Sequence, residues 1–330
     1  QFYGKRFVKG AANDGLGVPL VLTNTIEPQA RATVAAVYTQ INKDLNDAAS
    51  LLTATRPDKS NLNLSVVLGI QARVALTQQE WVTAATKAAA ARTGYTLMNT
   101  AAQFADGSST WTNPEWMWGS SQIDDQTEYF TSYLAYISCN FNSTNIRTNP
   151  KLISRSLYTT MDATDLRRAL WVVAPTTANS VTPPGGSRVA YMNQKFKAKG
   201  DANSVGDIAY MRAAEMFLIE AEALARNDQE AASKLVFTTF MKTRVPTYVS
   251  SSASGTAYLT EIMNSRRVEL WGEGFRFYDL KRLNQALNRN GSNHNSALAV
   301  SMDVAAGDAQ WQWLIPQSEI NANPLVKQND

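Results

Sequence analysis

Two stretches of this chain are built on one plan, and that plan restricts the fold more than anything else in it. "IQARVALTQQEW" and "IEAEALARNDQE" align so that Ala72 of the first falls on Ala221 of the second. Each carries a helical pattern, a short break and a second helical pattern. Gly69, Ala72, Ala75, Ala84, Ala85 and Ala88 place small side chains where two antiparallel helices can approach closely. Upstream, Thr33 caps a further pattern in which Val34, Val37, Ile41, Leu45, Ala48 and Leu52 recur every three or four residues.

The two helical parts, 30–95 and 206–290, are similar to tetratricopeptide helix pairs, but a long insertion between them rules out a tandem array. The expectation is a mainly α fold in a single domain over 1–330: a tetratricopeptide-like helical scaffold with an irregular, loop-rich lobe containing short strands at 100–205. "PEWMWGSSQ" alternates like a strand, which sets Trp116 and Trp118 on one face, and "TPPGGS" reads as a turn. Prolines and asparagines in "WQWLIPQSEINANPLVKQND" predict an extended tail over 310–330 rather than a helix. Trp81, Trp271, Trp311 and Trp313 are expected to pack in the core.

Composition removes whole classes of chemistry. One cysteine, Cys139, leaves no internal disulfide and no cysteine-based metal site. One histidine, His294, sits in the polar stretch "NRNGSNHNS", so serine or cysteine triads and multi-histidine zinc sites have no base or ligand set. No nucleotide-binding, zinc-protease or nucleophile-elbow pattern is present. A net charge of +3 without a basic run argues against nucleic acid, and no apolar stretch is long enough to span a membrane. No cofactor is specified; a structural calcium site, built from scattered loop oxygens, leaves no pattern to read.

"RRVELWGEGFRFYDLKR" raises a sharper question, because Glu269 and Glu273 stand one helical turn apart as an acid/base pair could. The spacing instead predicts i,i+3 ion pairs: Arg266 with Glu269, Glu273 with Arg276, Arg276 with Asp279, and Asp279 with Arg282. Carboxylates so flanked titrate low and act as fixed anions. Gly272 and Gly274 predict a bend. The element is read as structure.

That element, with "GLGVPLVL…ATVAAVYTQINKDLNDA", "NPEWMWG", "DIAYMRAAEMFLIEAEALA" and "IPQSEINANP" in this order, resembles the SusD/RagB family, surface nutrient-binding lipoproteins of Bacteroidota. The resemblance spans Gly15 to Pro324. It implies no enzymatic activity, binding of a glycan at the outer membrane surface, and delivery to a SusC-like TonB-dependent transporter as partner. Family chains begin upstream of "QFYGKRF", with a lipid-modified cysteine and further helices, so the only membrane contact implied is a lipid anchor preceding this chain.

Sugars present apolar C–H faces edged with hydroxyls, so a site for them needs flat rings and planar polar groups. The lobe supplies both. The ligand-binding candidates are Trp111, Gln122, Asp124, Tyr129, Tyr133, Tyr136, Asn140, Asn142, Arg188 and Tyr191. The three tyrosines, three and four apart, are expected along one helical stripe. Two alternatives stand beside the glycan reading: a peptide-binding relative of the same fold, and a tetratricopeptide-type scaffold for protein interaction.

Overall fold

The computed structural model describes residues 1–106 and 110–329; residues 107–109 of the expected lobe and residue 330 of the expected tail lie outside them. An antiparallel pair, β1 (Leu16–Pro19) and β2 (Arg31–Thr33), leads into α1 (Val34–Leu51). Arg31 fastens this entry: its buried guanidinium donates to the carbonyls of Gly17, Tyr3 and Lys327. The Thr33 hydroxyl oxygen accepts the Ala36 N–H and so starts α1 where the sequence places its cap. Asn63 does the same for α2 (Leu64–Gln78), and Gln79, in left-handed conformation, turns the chain into α3 (Trp81–Ala91).

The lobe then runs through short elements. These are α4 (Ala101–Ala105), β3 (Trp116–Ser120), α5 (Tyr133–Ile137), α6 (Thr144–Thr148), α7 (Arg155–Tyr158), β4 (Trp171–Val172) and β5 (Met192–Asn193). β6 (Ile208–Arg212) returns antiparallel to β3 and passes directly into α8 (Ala213–Arg226). The scaffold resumes with α9 (Glu230–Lys242), α10 (Gly255–Glu269) and α11 (Phe275–Arg282). A small pair, β7 (Leu287–Asn288) with β8 (Asp303–Val304), and α12 (Gln317–Ala322) close the chain.

Small residues decide the packing. Ala72, Ala84, Ala88, Ala214 and Ala221 are completely buried where α2, α3 and α8 meet. At Gly69 a Cβ would run into the Met211 sulfur, so any larger residue requires the buried Met211 side chain to shift. α8 is buried on every side from Ala213 to Ala223, including Glu215, Glu220 and Glu222. Each buried carboxylate has an arginine: Arg73 for Glu215, Arg92 for Glu220, and Arg282 with Arg226 for Glu222. A second, smaller core under the lobe gathers Phe104, Ile153, Leu157, Tyr158 and Trp171 against Val268 of α10.

Several expectations are corrected. The tail is not wholly extended, since residues 317–322 form a helix, and Trp313 is about half exposed. Trp271 does pack against the second core, partly buried, lying against Phe196 and edge-on to Trp171. Trp116 and Trp118 do not share an environment. The β3–β6 register shifts between them, so Trp116 is fully buried while Trp118 donates its indole N–H to the Ser60 carbonyl. Of the four expected ion pairs only Asp279–Arg282 forms.

The other charges of "RRVELWGEGFRFYDLKR" reach across the molecule. Glu269 takes Arg212 and Arg244, each at 2.9 Å, and Arg167 at 3.3 Å. Glu273 takes Arg212 and Lys195, Glu115 takes Arg212 and Arg244, and Asp165 takes Arg167. Arg266 turns to Asp279 at 2.9 Å instead of Glu269. The left-handed glycines Gly272 (φ 78°) and Gly274 (φ 86°) break the chain between α10 and α11, which is what frees Glu273 to turn inward.

Candidate functional site

The lobe keeps a row of rings at its surface. The Ser132 hydroxyl oxygen accepts the Ala135 N–H and starts α5, whose single turn buries Leu134 and Ala135 and turns Tyr133 and Tyr136 outward. The rings' exposures are 45% at Tyr129, 68% at Phe130, 38% at Tyr133 and 53% at Tyr136. Four rings of that size left in water within residues 129–136 call for something that covers them. The expected helical stripe is corrected: Tyr129 precedes the helix, in a turn where the Glu128 carbonyl accepts the Ser132 N–H.

Tyr129 and Tyr133 are fixed by their neighbours. Tyr129 packs edge-on against buried Phe141, with centroids 5.0 Å apart, and against Phe130 at 4.5 Å. The Tyr133 hydroxyl donates to the Gly272 carbonyl at 3.0 Å, and its ring meets Phe196 edge-on. Burial, and then nearby Glu273, push that hydroxyl well above the ordinary tyrosine range, so it stays protonated and keeps donating. Tyr133 thus couples the ring row to the glycine break before α11.

Polar groups flank the rings through segment 199–207. Ser204 donates its hydroxyl to the Tyr129 carbonyl, and Asn203 donates its amide to Asp124 at 3.0 Å. Lys199 donates to the Gln122 carbonyl and pairs with Asp207, whose other oxygen accepts the Trp111 N–H at 2.8 Å. Trp111, Gln122, Asp124 and Tyr129 are therefore linked through this segment, and Tyr133 and Tyr136 project from the helix that follows Tyr129. Asn142, exposed, lies beside it and accepts from Arg147.

Three expected candidates are corrected. The amide of Asn140 is fully occupied, donating to the Ala198 and Gly200 carbonyls and accepting the Ala198 N–H, so it shapes the loop. Tyr191, in left-handed conformation, packs edge-on against Tyr158 in the lobe's own core. Arg188 donates to the Gly186 and Thr182 carbonyls of its own turn. Phe130, the most exposed ring of the row, was not among the candidates; "TEYF" shows the ring but nothing in the sequence says which neighbour of Tyr129 faces out.

The carboxylates Glu269 and Glu273 are buried, ion-paired anions. Burial alone would raise Glu269, but Arg244, Arg212 and Arg167 hold it well below the usual carboxylate range; Arg212 and Lys195 hold Glu273 down likewise. Among the described residues no group of three or more His, Cys, Asp or Glu is placed to hold a metal ion, and no helix is long and apolar enough to cross a membrane.

Comparison with known proteins agrees with this architecture. No curated protein matches the chain. Among solved structures it is similar to a SusD superfamily protein from Bacteroides thetaiotaomicron, with a TM-score of 0.83 at 24% identity, covering 100% of this chain and 74% of that one. It is similar to a SusD-like carbohydrate binding protein from Bacteroides vulgatus (TM-score 0.79, 24% identity, 96% and 71% covered). A laminarin binding SusD-like protein matches with a TM-score of 0.69 at 22% identity, covering 94% and 73%. The SusD family model matches residues 108–330, and the chain belongs to the SusD family.

Proposed function

We propose that this protein binds an oligosaccharide on the aromatic strip of its lobe and hands it to a SusC-like TonB-dependent transporter at the outer membrane surface, where a lipid anchor preceding this chain holds it. The observation that carries the reading is the exposed row Tyr129, Phe130, Tyr133 and Tyr136 with amides and carboxylates at its edge. A sugar ring stacks its C–H face on such rings while its hydroxyls bond the flanking polar groups. Relatives described as carbohydrate binding and laminarin binding support it.

The test is retention of the purified protein in gels of laminarin, starch, mucin O-glycans and plant polysaccharides, with Phe130→Ala and Tyr136→Ala alongside. Both rings are more than half exposed, so both variants should keep the wild-type melting temperature and lose retention on whichever glycan binds. Wild-type retention in both variants, or capture of extended peptides in place of every glycan, would sink the proposal.

A further inference from the structure

A cavity of about 800 Å³ is lined by none of the strip's residues. It opens between the end of α11, the approach to Trp311 and the segment around Lys5, and falls within the size range of small-ligand sites. Lys5, Arg6 and Lys327 stand in its wall, and among the described residues none of their charged groups has an ion pair or hydrogen bond. The fourth cation, Lys281, is already saturated by the carbonyls of Gln1, Gly4 and Trp311. Asp14 and Asp308 are the carboxylates of the lining.

The rest of the wall has the chemistry of a saccharide site. Trp311 is fixed there by its indole N–H, which donates to the Ala305 carbonyl at 2.7 Å, and by Phe277 behind it at 5.6 Å. Asn284, held in left-handed backbone conformation, contributes an amide with no partner among the described residues. Three unpaired cations beside two carboxylates suit a ligand that is anionic at one place and rich in hydroxyl donors at others. A bare anion would leave Asp14 and Asp308 facing like charge. A neutral sugar would leave the cations uncompensated.

We infer that this cavity is a second ligand site, taking a short acidic saccharide whose carboxylate or sulfate is held by Arg6, Lys5 and Lys327 while its ring lies on Trp311 and its hydroxyls donate to Asp14 and Asp308. The site is independent of the aromatic strip.

Calorimetric titration of the full chain tests it, with trigalacturonate and a sulfated disaccharide as the acidic probes and laminaritriose and maltotriose as the neutral ones. At least one acidic probe should bind, and Arg6→Ala and Lys327→Ala should each weaken it about tenfold or more, the loss expected for a charge-assisted hydrogen bond. Tyr136→Ala should leave that binding unchanged. Which probe binds tells carboxylate from sulfate. The inference is overturned if neither acidic probe binds, if Arg6→Ala and Lys327→Ala bind like wild type, if Tyr136→Ala abolishes the acidic binding, or if inorganic sulfate competes as well as the saccharide. Neutral-glycan binding lost in Tyr136→Ala bears on the strip alone, so the two sites fail separately.

Discussion

Glu222 shows how one residue's surroundings set its chemistry. It is buried without solvent contact, which by itself would raise its pKa; Arg282, then Arg226 and Arg266, overcome that and bring it to about 2. Its free carboxyl titrates near 4.5, so between those values the unfolded chain holds a proton that the folded chain does not. The stability from this group is therefore complete above about pH 4.5 and is lost as the pH falls towards 2, on the order of 3 kcal/mol across the window. Urea midpoints measured from pH 6 down to 3 should fall on acidification, and Glu222→Gln should flatten that slope. The expected ion pairs in "RRVELWGEGFRFYDLKR" illustrate the opposite case. Charge and spacing along a helix name the partners available locally, yet Glu269 finds three better ones in Arg212, Arg244 and Arg167, all distant in sequence.

At the scale of elements, the break between α10 and α11 matters more than either helix. Gly272 has φ 78°, and a Cβ there would come within 2.5 Å of the Phe196 ring. Gly272→Ala should cost about 2–3 kcal/mol, read as a lowered melting temperature, because both the backbone and the space beside Phe196 require glycine. The Gly272 carbonyl also receives the Tyr133 hydroxyl, so the same variant should loosen α5 and raise hydrogen exchange there. The long helices were legible because amphipathic spacing, the Thr33 cap and runs of alanine are local signals. α6 and α7 were not, since five residues or fewer give no period to read, and they are held from far along the chain: the Arg147 carbonyl accepts the Ser187 N–H, and the Arg155 N–H donates to the Asn293 side chain.

At the scale of the molecule, lobe and scaffold share one buried charge network. Glu115, Asp165, Arg167 and Lys195 come from the lobe; Arg212, Arg244, Glu269 and Glu273 come from β6 and the scaffold, four cations against four carboxylates. Removing one member strands its partners, a loss of about 3–5 kcal/mol. Calorimetry of the intact chain should show a single transition with matching calorimetric and van't Hoff enthalpies, and Glu269→Ala should lower its midpoint and separate lobe from scaffold unfolding. What the sequence determined by itself was the helical hairpins, the interrupted scaffold, and the presence of ring-rich, amide-rich chemistry in the lobe, because periodicity and composition are properties of neighbours in the chain. Tertiary structure alone decided which rings reach water. Tyr129, Tyr133 and Tyr136 stand at the surface while Tyr191 lies in a core and Asn140 is bound to backbone, and that depends on what segments 193–207 and 271–273 lay beside them. Burial is a property of the whole packed molecule, and no spacing within "TEYFTSYLAYISCNFN" contains it.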